Sequence, residues 1–176
     1  MIEKGTEIRL EKVLGKYEAV EAVDKWRFDL GFFAEEINME KPWGAYWKID
    51  KDDTCYFLNS FFPELKESLL ESNLDLSPKF LLIAPGERLS WQYHERRAEE
   101  WKVLAGEVIV PTSKTDKVDR VKTLRAGESI SLAKGERHRL EGTKGWGLVA
   151  EVWVHSDKAH PSDENDVVRI QDDYGR

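Results

Sequence analysis

From Lys79 onward, apolar residues come in short runs broken by glycine at near-regular intervals. KFLLIAPG, RLSWQYHE, EWKVLAGEVIV, DRVKTLRAG, ESISLAKG, RHRLEG and GWGLVAEVWVH read in turn as strands. Gly86, Gly106, Gly127, Gly135 and Gly142 punctuate them. Short strands at such spacing predict an antiparallel sandwich or barrel. Upstream, KPWGAYWKI (41–49) reads as a turn into a strand, and TCYFLNSFF (54–62) as a second, aromatic-rich strand. PELKESLLESN (63–73) reads as a short helical insert. Pro63 suits a first helical position, and Leu65, Leu69 and Leu70 form a stripe. In EIRLEKVLGKYEAVEAVDKW, apolar residues recur at approximately helical spacing, interrupted by Gly15. Residues 1–40 are therefore expected to form a partly helical extension packed on the barrel. Residues 41–176 are expected to form a single domain.

The chain has 176 residues, 40% of them hydrophobic, enough for one domain with a core of its own. The net charge of −7 argues against nucleic acid or an anionic membrane as partner, while leaving room for a local basic pocket that takes a small phosphate. No apolar run approaches the roughly 18 residues that span a bilayer. MIEKGTEIRLEK lacks the apolar segment of a signal peptide. Cys55 is the only cysteine, which excludes an internal disulfide. Together these give the expectation of a cytoplasmic protein.

The densest chemistry lies in PGERLSWQYHERRAEEWKVLAGEV, Pro85 to Val108. Alternate residues of a strand share a face, so Gln92 and His94 point the same way, about 7 Å apart. Glu99 follows far enough on to re-enter on the next strand, and His138 sits on a later strand behind a glycine turn. Two imidazoles, a carboxylate and an amide oxygen make a mixed nitrogen and oxygen set. Such a set suits one divalent ion, zinc first and then manganese, iron, cobalt or nickel, rather than calcium.

Gly86-x5-Gln92-x-His94-x4-Glu99-x6-Gly106 has the spacing of the first cupin motif, with glutamine where most cupins have histidine. Gly127-x5-Ala133-x-Gly135-x2-His138-x3-Gly142 has that of the second, departing at Ala133 (usually proline) and Gly142 (usually asparagine). More closely, RLSWQYHERRAEEW resembles the LSLQ-x-H-x-x-R-x-E-x-W signature of type II phosphomannose isomerases. KPWGAY, HRLEG and ENDVVRIQDDYGR are similar to further motifs of that family, in the same order. The family often carries histidine where this chain has Arg96 and Glu100. It has no identified counterpart of the segment before Lys41, and it is nearly continuous strand where this chain has the insert at 63–77.

The resemblance implies a mainly β cupin barrel that interconverts an aldose phosphate and a ketose phosphate through a cis-enediol, with mannose 6-phosphate and fructose 6-phosphate as the pair. In relatives the domain is often fused to a sugar-nucleotide transferase, and a stand-alone form is expected here. The resemblance implies Gln92, His94, Glu99 and His138 as metal ligands. It gives Arg169 and Arg97 to charge stabilisation or anchoring, and Lys79 and Arg139 to sugar or phosphate contacts. A structural salt bridge is the alternative for each arginine, and a strand-edge position the alternative for Lys79. The catalytic base is left among Glu87, Glu141, Glu151 and Asp173. Glu100 is expected to face away from the metal, and His155 and His160 to be solvated loop residues beyond the last barrel strand. Trp91, Trp101, Trp146 and Trp153 divide between core, dimer face and sugar platform. A homodimer is expected by analogy of fold. Competing functions are isomerisation of another sugar such as free lyxose, non-catalytic metal or sugar binding, and a cupin dioxygenase.

Overall fold

The computed structural model describes residues 7–10 and 15–175. Two antiparallel sheets enclose the barrel. The first runs, in spatial order, β1 (Ala34–Asn38), β2 (Gly44–Ile49), β3 (Leu76–Ile83), β11 (Gly147–His155), β5 (Arg97–Ala105) and β8 (Ser129–Leu132). The second runs β10 (Glu141–Gly142), β6 (Glu107–Ser113), β9 (Arg137–His138), β4 (Trp91–Tyr93) and β12 (Val168–Gln171). A further strand, β7 (Arg120–Arg125), pairs with β6.

Strand alternation explains where the core lies and where the chemistry begins. Leu81 and Ile83 of β3, Trp101 and Val103 of β5, and Val149 of β11 meet Val108 and Val110 of β6, and Leu140 between β9 and β10, inside the barrel. Their neighbours Phe80, Leu82, Leu148, Ala150 and Val152 face the other way. There they pack with Ala19 and Val23 of the helix α1 (Lys16–Asp29) and with Phe57, Leu58 and Phe61 of the helix α2 (Thr54–Phe61). Followed toward one end of the barrel, the inward rows change character. Ile83 and Leu81 are succeeded by Lys79, Val149 by Glu151 and Trp153, and Val103 and Trp101 by Glu99 and Arg97. The barrel thus has an apolar floor and a charged mouth.

Four expectations change. TCYFLNSFF is α2 rather than a strand. Its buried residues Phe57, Leu58 and Phe61, followed by Phe62, recur at helical spacing, and the aromatic content had suggested β. The insert helix α3 is Lys66–Glu71, so Pro63 precedes it by a turn rather than opening it. The sheet begins at Ala34, inside the segment expected to be extension, and α1 starts only at Lys16. The rest of the expected helical lead-in forms neither helix nor strand at 7–10 or lies, at 1–6 and 11–14, outside the described residues. His155 is not a solvated loop residue but the buried last residue of β11, whereas His160 is exposed.

Gly106 and Gly142 are among the glycines fixed by close approach. Gly106, at φ +72°, turns β5 into β6, and a Cβ there would stand 2.1 Å from the Trp146 carbonyl oxygen. At Gly142, where the resemblance leads one to expect asparagine, a Cβ would stand 2.1 Å from the carbonyl oxygen of Ala84.

Candidate metal centre

Register brings the polar residues of the second sheet together. On β4, Gln92 lies opposite His138 of β9 on one side and Arg169 of β12 on the other. Residues directly opposite in an antiparallel pair share a face, so all three turn to the same side. His94 follows two residues after Gln92, and Glu99 faces them from β5 in the first sheet. Glu99 Oε1 is 3.2 Å from His94 Nε2, and Glu99 Oε2 is 3.3 Å from His138 Nε2. One donor atom from each of these three buried residues lies within 4.8 Å of the others.

Hydrogen bonding fixes which imidazole nitrogens face inward. His94 Nδ1 donates to the carbonyl of Asp166, and His138 Nδ1 donates to the carbonyl of Glu136 at 2.8 Å. Each Nε2 is left with a lone pair, and both point at the Glu99 carboxylate. His138 Nε2 and Glu99 Oε2 are buried without a hydrogen-bond partner among the described residues. Convergent lone pairs repel unless a proton or a metal ion sits among them. The residues therefore fit a divalent ion. Gln92 completes the set on one condition. Its amide nitrogen is 3.4 Å from His94 Nε2 while its oxygen accepts from Ser90 Oγ. Turning the amide by 180° aims the oxygen at the cluster and keeps a bond to Ser90.

Next to this cluster a cavity of about 90 Å³ is lined by Tyr46, Lys79, Glu151, Trp153 and Glu164, with Gln92, Arg97, Glu99 and Arg169 at the cluster side. Arg97 Nε donates to Glu99 Oε1 at 2.8 Å, and its Nη2 lies 3.1 Å from His94 Nε2. Burial alone would raise the Glu99 carboxyl, but His94 and Arg97 outweigh it and hold the group well below the usual carboxylate range. Glu151 behaves oppositely. Burial first, and then the Glu99 carboxylate, push it up to about 8 against the pull of Lys79 and Arg97. Its Oε1 accepts from Trp101 Nε1 at 3.0 Å.

Residues 57–172 match the family described as mannose-6-phosphate isomerase C-terminal. The chain belongs to this family. The mannose-1-phosphate guanylyltransferase of Escherichia coli K12 is 32% identical over 136 residues, 77% of this chain, and that of Salmonella montevideo is 35% identical over the same share. The chain spans only 22–23% of the length of these relatives. Solved structures similar in fold include oxalate decarboxylase from Bacillus subtilis (TM-score 0.55, 13% identity, 79% of this chain and 31% of that one). A recombinant oxalate oxidase in complex with glycolate is another (TM-score 0.50, 19% identity, 76% and 58%). The fold is that of a cupin.

Within this mannose-6-phosphate isomerase-type cupin, the expected site residues do not all come together. Gln92, His94, Glu99, His138, Arg97, Lys79 and Arg169 do. Arg139 is not among the residues lining the cavity. Its guanidinium donates to Gln171 Oε1 at 3.0 Å and lies 3.6 Å from Glu141. Of the four carboxyls considered as base, Glu151 alone lines the cavity. Glu87 accepts from the Tyr174 hydroxyl, Asp173 pairs with Arg88, and Glu141 stands beside Arg139. Glu100 accepts from Ser131 Oγ at 2.6 Å, off the cavity. Lys79 is a buried residue in the middle of the sheet, not an edge lysine.

Three further residues matter, of which Asp166 and Glu164 were not singled out in the sequence. Trp153 is a platform for cations, with Lys79 Nζ 3.4 Å and Arg97 Cζ 3.5 Å from its ring centroid. Asp166 orients His94 through its carbonyl while its carboxylate accepts from the backbone N–H groups of Glu95 and Arg96, both at 3.0 Å. Glu164 reaches into the cavity. A signal existed for the first, since Trp153 sits one alternation from Glu151 in an otherwise apolar strand.

Proposed function

We propose that this chain is a metal-dependent aldose–ketose isomerase that interconverts mannose 6-phosphate and fructose 6-phosphate. The observation that carries this reading is one cavity lined by Glu151, Lys79, Gln92 and Glu99, the last of which belongs to the buried His94, Glu99 and His138 cluster. Gln92, His94, Glu99 and His138 hold the ion, zinc or another divalent metal of similar preference. When bound, such an ion supplies Lewis acidity to the O1 and O2 oxygens of the sugar.

Glu151 is the proton carrier. Its carboxylate takes the proton from C2 of the aldose, the O2 hydroxyl proton passes to O1 by way of the cis-enediol, and the same carboxyl returns its proton to C1 as C2–O2 becomes the ketone. In the metal-free protein burial and then the Glu99 carboxylate push this carboxyl up to about 8, which makes it a stronger base than an ordinary glutamate and one that is readily reprotonated. Arg169, on the strand next to Gln92, stabilises the negative charge that develops on the sugar oxygens. Lys79 holds the phosphate. Trp101 orients Glu151 through its indole N–H.

The test is a panel of aldoses with and without phosphate, followed for ketose formation in the metal-loaded protein. Turnover of mannose 6-phosphate and not of mannose or lyxose is expected. Turnover of free lyxose instead would reassign the substrate. Sugar binding with no turnover of any member would make the chain a non-catalytic binding cupin.

A further inference from the structure

Lys79 already has an anionic partner, one for which the proposed chemistry has no use. The Lys79 side chain is 3% exposed, and its ammonium donates to the carboxylate of Glu164, whose side chain is 58% exposed. The rest of its surroundings is aromatic, with the Trp153 ring centroid at 3.4 Å and that of Tyr46 at 5.2 Å. A buried ammonium is costly without a counter-charge. Glu151, directly opposite on β11, forms no ion pair with this ammonium among the described residues. Glu164 does, from a segment that is otherwise pinned. Ser162 N–H donates to His155 Nδ1 at 2.9 Å, and Ser162 Oγ donates to the Asp166 carboxylate at 2.6 Å. Asp163 Oδ1 accepts from the backbone N–H groups of Asn165 and Asp166. With its backbone clamped on both sides, Glu164 can swing its side chain into solvent while the segment stays seated.

Volume points the same way. The cavity of about 90 Å³ is well below the roughly 300 Å³ at the small end of ligand pockets, so a hexose phosphate needs room that the present arrangement lacks. We infer that Glu164 is a stand-in for the anionic group of the substrate, closing the Lys79 subsite in the free protein and yielding it to a phosphate group. This rests on reading the cavity as the sugar-phosphate site, and it makes the pair a determinant of specificity. A phosphate brings more charge and more acceptor oxygens than a carboxylate and so can displace it. A neutral sugar brings no charge, and it leaves the Lys79–Glu164 pair closed and the cavity short.

An internal competitor weakens apparent affinity in proportion to the fraction of time the site is open. With the closed state favoured about tenfold, Glu164→Gln and Glu164→Ala should each bind inorganic phosphate about tenfold more tightly than the unmodified protein in isothermal titration. Adding Lys79→Gln to Glu164→Gln should abolish that gain. Phosphate affinity that is equal or weaker in both Glu164 variants would overturn the inference, as would a gain that persists without Lys79. Glu164 is exposed, so its variants should fold even where the Lys79 variant does not, and the first comparison decides without the second. The readout is independent of turnover. Tighter phosphate binding in a protein that isomerises nothing would leave the gate standing and remove the isomerase reading. Unchanged phosphate binding in an active isomerase would remove the gate alone.

Discussion

Replacing Glu151 with glutamine probes the proton carrier from two directions at once. The side chain keeps its shape and an oxygen to accept from Trp101 Nε1, so the cavity wall is preserved while the transferable proton is lost. General acid–base catalysis by one positioned group contributes about 10²–10⁴-fold, and kcat for mannose 6-phosphate should fall by that order with KM little changed. Stability should move the other way. Burial and then the Glu99 carboxylate push the Glu151 carboxyl of the folded, metal-free protein up to about 8, whereas an unfolded glutamate releases its proton near the ordinary value of 4.5. Between these values the folded state binds one more proton than the unfolded state. The contribution is therefore fully present below the unfolded pKa and is lost as pH rises through the folded one, at about 1.4 kcal/mol per pH unit. From pH 5 to pH 8 the metal-free unmodified protein should lose about 3 kcal/mol that Glu151→Gln does not lose. Urea unfolding of both proteins at several pH values, paired with a coupled isomerase assay, measures the two effects. Parallel stability profiles would show that Glu151 is ionised in the folded state. An unchanged kcat would show that it carries no proton.

His138→Ala should abolish stoichiometric binding of a divalent ion, read by elemental analysis after dialysis, because it removes one of the two lone pairs that face Glu99. Full occupancy in that variant would displace the site. Arg169→Ala should lower kcat roughly a hundredfold, about 3 kcal/mol, while metal content and Tm stay near those of the unmodified protein, since its side chain is exposed at the cavity edge. A collapse of Tm would make Arg169 a structural residue of β12.

Much of the barrel could be read from the chain because alternation and glycine punctuation are local signals. The ligands Gln92, His94, Glu99 and His138 were legible for the same reason, as their spacing along strands decides which way they point. The helix α2 was not, because the aromatic residues of TCYFLNSFF fit a strand by type and a helix by spacing, and the outer face of the first sheet decides between them. Asp166 and Glu164 acquire their roles only when the segment after β11 closes over the barrel mouth. Arg97 meets Ser162 across 65 residues of sequence, and Lys79 meets Glu164 across 85. No local pattern encodes such contacts. The displacement of Arg139 from the cavity has the same origin, since the docking of β12 supplies it with Gln171.

The most direct measurement is nuclear magnetic resonance of mannose 6-phosphate in deuterated water, with the protein first stripped of metal and then given one equivalent of a divalent ion. Stripped protein should leave the sugar unchanged. Reconstituted protein should form fructose 6-phosphate carrying solvent deuterium at C1 and, as the reaction reverses, place deuterium at C2 of the mannose 6-phosphate. Equal conversion with and without the ion, or no exchange in protein shown to hold one ion per chain, would contradict a metal-dependent isomerase built on His94, Glu99 and His138.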